Sequence, residues 1–392
     1  MGGGLAARPL YHGLPMQLFS LPPSERSSAA QIEAQAGILQ AIPALERILN
    51  ALPTVAMVLN RQRQVVVANQ RLIEFAGATG IDELCGFRPG EVLRCAHAMD
   101  SSGGCGSTEH CTVCGALQAI MTAQFGLAQS QVCRLVRRTG KGEEQLDLEI
   151  SAAPVELGGD KFLIVCARDI SDRLRRQWLE ESAIPQAVEL ALEMKVLAAS
   201  LSSSAMQPEG REKATGLMAA ASRQIATLMR EHAELASAEA GELKVERRPA
   251  SALEILRDTA REFEYHPAAE RRRIRFDPHA RDASLQTDPV LARRVLEKLV
   301  LNALEATPTG GAIAVDCQPV EGRVEFRIGN QGEMSREVQL QVFERAFSTK
   351  GRGRGYGTYF AKLIAERYLN GTVRFRSSDA DGVTFIVDLP LT

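Results

Sequence analysis

The residues best suited to chemistry lie in the C-terminal third of the chain. Asn302 interrupts the apolar helical run Leu296-Glu297-Lys298-Leu299-Val300-Leu301-Asn302-Ala303-Leu304-Glu305-Ala306, and its amide oxygen can reach a metal ion. Gly329-Asn330-Gln331-Gly332 then forms a polar turn directly after a strand-like run. Phe343-Glu344-Arg345-Ala346-Phe347-Ser348-Thr349-Lys350 leads into Gly351-Arg352-Gly353-Arg354-Gly355-Tyr356-Gly357-Thr358, where a helix opens. Glycines at alternate positions before a helix N-terminus let backbone N–H groups approach phosphates closely. Such a loop alone also serves ordinary turns, so the weight rests on the fixed order of the four segments.

A second set is made of sulfur. Of the eight cysteines, five fall between Cys85 and Cys114. Cys95 is followed by His97, then Cys105, and Cys111 and Cys114 form a C-x-x-C pair, the spacing with which two thiolates bind one metal from a tight turn. Gly104, Gly106 and Gly115 beside the sulfurs allow close backbone approach. In a reducing compartment disulfides are disfavoured, which points Cys95, Cys105, Cys111 and Cys114 to zinc or an iron–sulfur cluster, with His97 or Cys85 as a substitute ligand. Unligated buried cysteines are the plain alternative. Cys133, Cys166 and Cys317 sit in strand-like runs and read as core residues.

These residues need elements to position them. Residues 1–30 carry Gly, Pro and Ser clusters without apolar periodicity and read as a tail. Ile32 to Leu52 has helical spacing, with a kink expected at Pro43. Strands are expected at Val55–Leu59, Val65–Ala68, Val132–Val136, Leu146–Ala152 and Phe162–Ala167, giving one antiparallel sheet with the cysteines in a helical insertion. Two long helices follow, broken near Pro208 and ending near Gly241, whose apolar stripes predict pairing with a second copy in a four-helix bundle. Beyond Ala250 helix and strand alternate; Asp288 caps a helix with Pro289 in its first turn. Strands are expected at Ile313–Cys317, Arg323–Ile328, Thr372–Phe375 and Thr384–Leu389. The whole reads as α+β.

Composition narrows the function classes. With 392 residues the chain can hold several cores, and 45% hydrophobic with 24% charged residues is a globular balance. A net charge of −2 and a single tryptophan argue against nucleic acid and anionic membranes as partners. No apolar run reaches the roughly 18 residues of a membrane span, and the N-terminal residues do not read as a secretory signal, so a cytoplasmic location is expected.

The four C-terminal segments closely resemble the N, G1, F and G2 boxes of the histidine-kinase ATPase domain, in the gyrase-like superfamily. The resemblance implies ATP with Mg²⁺: Asn302 holding the metal, Asn330 and Gly332 receiving adenine, and Lys350, Gly353, Gly355, Gly357 and Thr358 closing over the phosphates. Two positions depart from the family. Asn330 stands for its usual adenine-binding Asp, and Lys298 for an Asn one turn before Asn302. The two-helix segment resembles the family's dimerisation and phosphotransfer domain, but no histidine lies between His110 and His232, and Pro185 falls near the phosphoacceptor position. His232 on the second helix is the remaining candidate. The first domain resembles a PAS sensor, closing with Asp169-Ile170-Ser171-x-Arg173. The implied organisation is tail 1–30, PAS-like sensor 31–171, helical hairpin 172–245 and ATPase domain 246–392. Two classes stay open: a sensor kinase of a two-component system, dimeric and acting on a response regulator, or a pseudokinase that pairs with a related kinase or regulator, with structural zinc in its sensor.

Overall fold

The computed structural model describes residues 20–140, 142–178, 180, 184–201, 207–264, 266–350 and 355–391. The chain forms two compact units, Leu14–Arg176 and the part from Gln177 onward.

In the first unit, helices α1 (Ala29–Gln40) and α2 (Leu45–Ala51) replace the single kinked helix expected from the periodicity. The chain turns between them, and Ala44 takes a positive φ of 65° as it starts α2, so the break is a full interruption. Strands β1 (Val55–Leu59) and β2 (Val65–Ala68) are followed by α3 (Gln70–Ala76), α4 (Pro89–Val92), α5 (Ala96–Met99) and α6 (Gly115–Gln124). Three long strands close the unit: β3 (Gln129–Thr139), β4 (Gly142–Leu157) and β5 (Asp160–Asp169). They form one antiparallel sheet, as expected, in the order β2-β1-β5-β4-β3, but with helices on both faces where the strand pattern suggested one. One sheet face buries Met57, Val65, Leu148, Ile150 and Val165 with the insertion helices, and the other buries Ala56, Val58 and Phe162 with α1 and α2. Helix α7 (Ser171–Trp178) leaves β5 through Asp169, whose carboxylate accepts from Ser171 N–H at 2.8 Å, while Ser171 Oγ accepts from Asp147 N–H at 2.9 Å. The exit is thereby stitched to β4.

The second unit opens with α8 (Ile184–Leu201) packed on α9 (Pro208–Ala240). Leu190, Met194, Leu197 and Leu201 of α8 are half-buried, whereas Ile184, Val188, Leu192 and Val196, spaced every four residues, form an exposed apolar stripe. Helix α9 stops at Gly241, in the left-handed region with φ +81°. Strand β6 (Arg248–Ser251), α10 (Ala252–Glu262), β7 (Arg273–Phe276), β8 (Ser284–Thr287), α11 (Pro289–Ala306), β9 (Ala312–Val320), β10 (Arg323–Asn330), α12 (Arg336–Gln341), α13 (Gly357–Arg367), β11 (Thr372–Ser378) and β12 (Gly382–Pro390) complete it. A five-stranded sheet runs β11-β12-β10-β9-β7, with only the β7–β9 pair parallel, and β6 and β8 form a separate ribbon. Asp288 caps α11 as expected, its Oδ1 accepting from the N–H groups of Val290 and Leu291. The core joins Val295, Leu299 and Ala303 of α11, Phe360 and Ile364 of α13, and Phe326, Ile328, Phe385 and Val387 of the sheet. This is an α+β molecule, and no helix among the described residues is long and apolar enough to cross a membrane.

Candidate functional site: a nucleotide pocket and a thiol cluster

Asn302 lies in the last third of α11, a helix fixed by its buried face. The Lys350 ammonium donates to Asn302 Oδ1 at 3.3 Å and to Glu305 Oε2 at 2.8 Å. Glu305 is three residues after Asn302 and so shares its helix face. A tethered cation thus rests on two oxygen donors, the donor chemistry that Mg²⁺ requires. The oxygen donors of Asn302 and Glu305 therefore fit a hard divalent cation such as the Mg²⁺ of a bound nucleotide. Glu305 was not among the residues anticipated from sequence, although its i+3 spacing from Asn302 was there to be read.

Asn330 is the last residue of β10, held between Ile313 of β9 and Val383 of β12, and it is buried. Its amide N–H donates to Gln331 O at 2.9 Å, which leaves the Oδ1 oxygen as the side chain's acceptor. Gly332 follows with φ +117°. The lid stem is pinned by Phe343, whose ring meets Phe375 and Phe385 with centroids 5.9 and 6.1 Å apart. Gly355 has φ +97°, and a Cβ there would lie 2.2 Å from Phe347 O, so the chain closes on itself at that point only because the residue is glycine. Gly357 opens α13, and its missing Cβ faces the stem of Lys298 at 4.0 Å. Thr358 is the second residue of α13, and its hydroxyl donates to Val342 O, tying α13 to the end of α12. Gly353 lies outside the described residues.

Helix α9 runs beside this site. Lys298 pairs with Glu231, and Arg294 with Glu234. At its end Glu239 accepts from Arg345 at 2.9 Å and from the Tyr359 hydroxyl at 3.0 Å, in a buried position, while Tyr368 Oη donates to Ala238 O at 2.7 Å. His266 completes the surroundings. Burial pulls its pKa below the ordinary value; the charges of Glu305 and Glu231 oppose that shift and Lys298 adds to it. His232, the candidate acceptor, is on α9 next to Glu231. Helix α8 carries no histidine, and its second residue is Pro185.

In the first unit the insertion brings the cysteines into one neighbourhood. Burial pushes Cys95 up to about 11, helped by the Cys114 and Cys111 thiols. Burial likewise raises Cys105, with Cys114, Cys111 and Cys95 adding to it. A hydrogen bond with Cys133, and then burial, raise Cys114 well above the ordinary value. Yet the expected four-cysteine centre is not assembled: among the described residues no three His, Cys, Asp or Glu side chains are grouped so as to hold a metal ion. The reason is visible in the side chains. Cys114 Sγ is turned to Cys133 Sγ at 3.8 Å, Cys111 Sγ meets Thr108 Oγ1 at 3.2 Å, and Cys105 packs against the backbone at Gly90, where any Cβ would strike its sulfur. Cys133, read as a core residue, is both buried and a neighbour of the cluster. Of the substitute ligands, His97 stacks on His110 with centroids 3.9 Å apart, and Cys85 donates to Val66 O at 3.2 Å.

Comparison with known proteins agrees with the C-terminal geometry. Residues 287–392 match the family described as histidine kinase-, DNA gyrase B- and HSP90-like ATPase. Sensor histidine kinase CusS of Escherichia coli (strain K12) is 37% identical over 110 residues, which cover 26% of this chain and 22% of CusS. Heme sensor protein HssS of Staphylococcus aureus (strain Newman) is 32% identical over 103 residues, covering 26% of this chain and 22% of HssS. The chain thus spans under a third of the length of the curated relatives it matches. The solved catalytic domain of histidine kinase ThkA is 26% identical, covering 38% of this chain and 97% of that one, at a TM-score of 0.35. Residues 287–392 thus match an ATPase domain of the histidine kinase, gyrase and HSP90 type, and over this stretch the chain is similar to sensor histidine kinases.

Proposed function

We propose that the protein is a signalling component of a two-component system that binds ATP with Mg²⁺ in its C-terminal domain and reports the state of the thiol cluster in its N-terminal unit. The observation that carries the nucleotide reading is the Lys350 ammonium resting on Asn302 and Glu305, a cation already seated on the oxygen donors at the mouth of the lid. Asn302 would hold the metal, which screens the phosphate charge. Asn330 would accept from adenine, and the amides from Gly355 to Gly357 at the start of α13 would face the phosphates. The exposed stripe Ile184, Val188, Leu192 and Val196 supports pairing of the hairpin with a second copy or a related kinase, and the response regulator is the partner that the resemblance implies.

The sensory reading rests on the thiols of Cys95, Cys105, Cys111 and Cys114. Burial holds the Cys95 and Cys105 thiols neutral, and the hydrogen bond with Cys133 and then burial do so for Cys114, so a metal centre there, zinc or iron–sulfur, would have to displace their protons and turn Cys114 away from Cys133. Elemental and sulfide analysis after anaerobic purification distinguishes the two metals from an unmetallated thiol cluster.

A second reading, the pseudokinase, is favoured by the lack of any histidine on α8 and by Pro185 at its start. Incubation with γ-labelled ATP separates the two. Acid-labile label on the protein, lost in His232→Ala, would reject the pseudokinase. Nucleotide binding without label or hydrolysis would reject the kinase.

A further inference from the structure

We infer that Lys298 is a positioning residue shared between α9 and bound nucleotide, so that nucleotide binding and docking of α9 on α11 compete for one ammonium group. The inference rests on the nucleotide reading above. Lys298 precedes Asn302 by one helical turn, on the face of α11 that carries the metal-binding amide. Its stem lies against Gly357, where α13 opens, so its reach covers the helix N-terminus at which phosphates are expected. In the structure the ammonium is instead drawn to Glu231 of α9.

Both partners are anionic and Lys298 cannot satisfy both at full strength. Glu231 is two-fifths exposed at its side chain, so the ion pair is a modest one that phosphate can outbid. Arg294–Glu234 and the Arg345–Glu239–Tyr359 group hold the same helix further along, so losing the Lys298 pair loosens α9 locally without detaching it. The position reads as a departure from the family only when the ATPase domain is viewed alone. Beside α9 the lysine has a partner.

Calorimetry with Mg-ATP on the full chain tests this with Glu231→Gln, Lys298→Asn and the double variant. Freeing the lysine in Glu231→Gln should tighten binding about two- to fivefold, the value of one exposed ion pair. Lys298→Asn should weaken binding and abolish the effect of Glu231→Gln. Amide hydrogen exchange over residues 225–240 should rise when Mg-ATP is added to the parent chain, and should already be raised in both single variants. Unchanged or weaker affinity in Glu231→Gln, or exchange in α9 that ignores nucleotide, overturns the shared lysine while the nucleotide site stands. If the parent chain binds no Mg-ATP, the nucleotide reading falls and takes this inference with it.

Discussion

Replacing Glu239 by alanine should be among the most damaging single changes to the C-terminal unit. Its carboxylate serves Arg345 and Tyr359 together, and the side chains of the ion pair are only 8% and 5% exposed. Removing it withdraws the carboxylate that faces the buried guanidinium, and breaking such a pair typically costs about 3–5 kcal/mol. With a urea dependence of about 1–3 kcal/mol per molar, the midpoint of unfolding should fall by more than about 1 M, read by circular dichroism. Glu239→Gln keeps an acceptor for the tyrosine but no charge for the arginine, and should fall between. Substituting both Glu239 and Arg345 by methionine should recover much of the loss, because a buried pair exchanged for apolar groups of similar volume is often nearly neutral. A Glu239→Ala protein within about 0.5 kcal/mol of the parent, the range of ordinary surface changes, would refute the claim that this pair anchors α9 to the ATPase fold.

Three further outcomes follow from the site and the core. Gly355→Ala forces a side chain into φ +97° and against Phe347 O, a strain of about 1–3 kcal/mol before the clash, so Mg-ATP affinity should drop about tenfold or more by calorimetry. Asn330→Asp loses its bond to Gln331 O but offers a charged acceptor to the adenine amino group; the two effects offset in absolute affinity, yet preference for ATP over inosine triphosphate should rise several-fold. Burial, then the charges of Asp316 and Asp282, push the Cys317 thiol up to about 11 from an ordinary 9.0. Its neutral form is favoured in the fold, so that stabilising contribution is complete below pH 9 and lost as pH rises from 9 to 11. Denaturation midpoints measured across this range should decline less steeply in Cys317→Val.

The elements legible in the sequence are those whose signals are local. Asp288-Pro289 and the apolar face running from Leu291 to Leu304 are one cap and one helical period, and α11 forms where they place it. The alternation in β10, with Val324, Phe326 and Ile328 turned inward, is equally self-contained. By contrast β6, β7 and β8 are four residues each and depend on distant partners: Arg248–Ser251 pairs with Ser284–Thr287, and the arginine-rich Arg273–Phe276 joins the sheet only through β9. Their own composition gives no strand signal. The same limit governs the sites. Spacing collected Cys95, Cys105, Cys111 and Cys114, but side-chain direction, which turns Cys114 to Cys133 across the sheet edge, depends on where β3 packs. Glu231 and Glu239 could be assigned to the nucleotide domain only once α9 was seen lying along α11 and α13.

The central claim is that Asn302, Asn330 and the backbone around Gly355–Gly357 enclose a magnesium-bound adenine nucleotide. Titrating the intact protein calorimetrically with ATP, with and without Mg²⁺, tests it most directly. The account predicts saturable binding at one site per chain, strengthened by Mg²⁺ and weakened by Asn302→Ala. Absence of binding, or binding indifferent to both magnesium and Asn302, would contradict it.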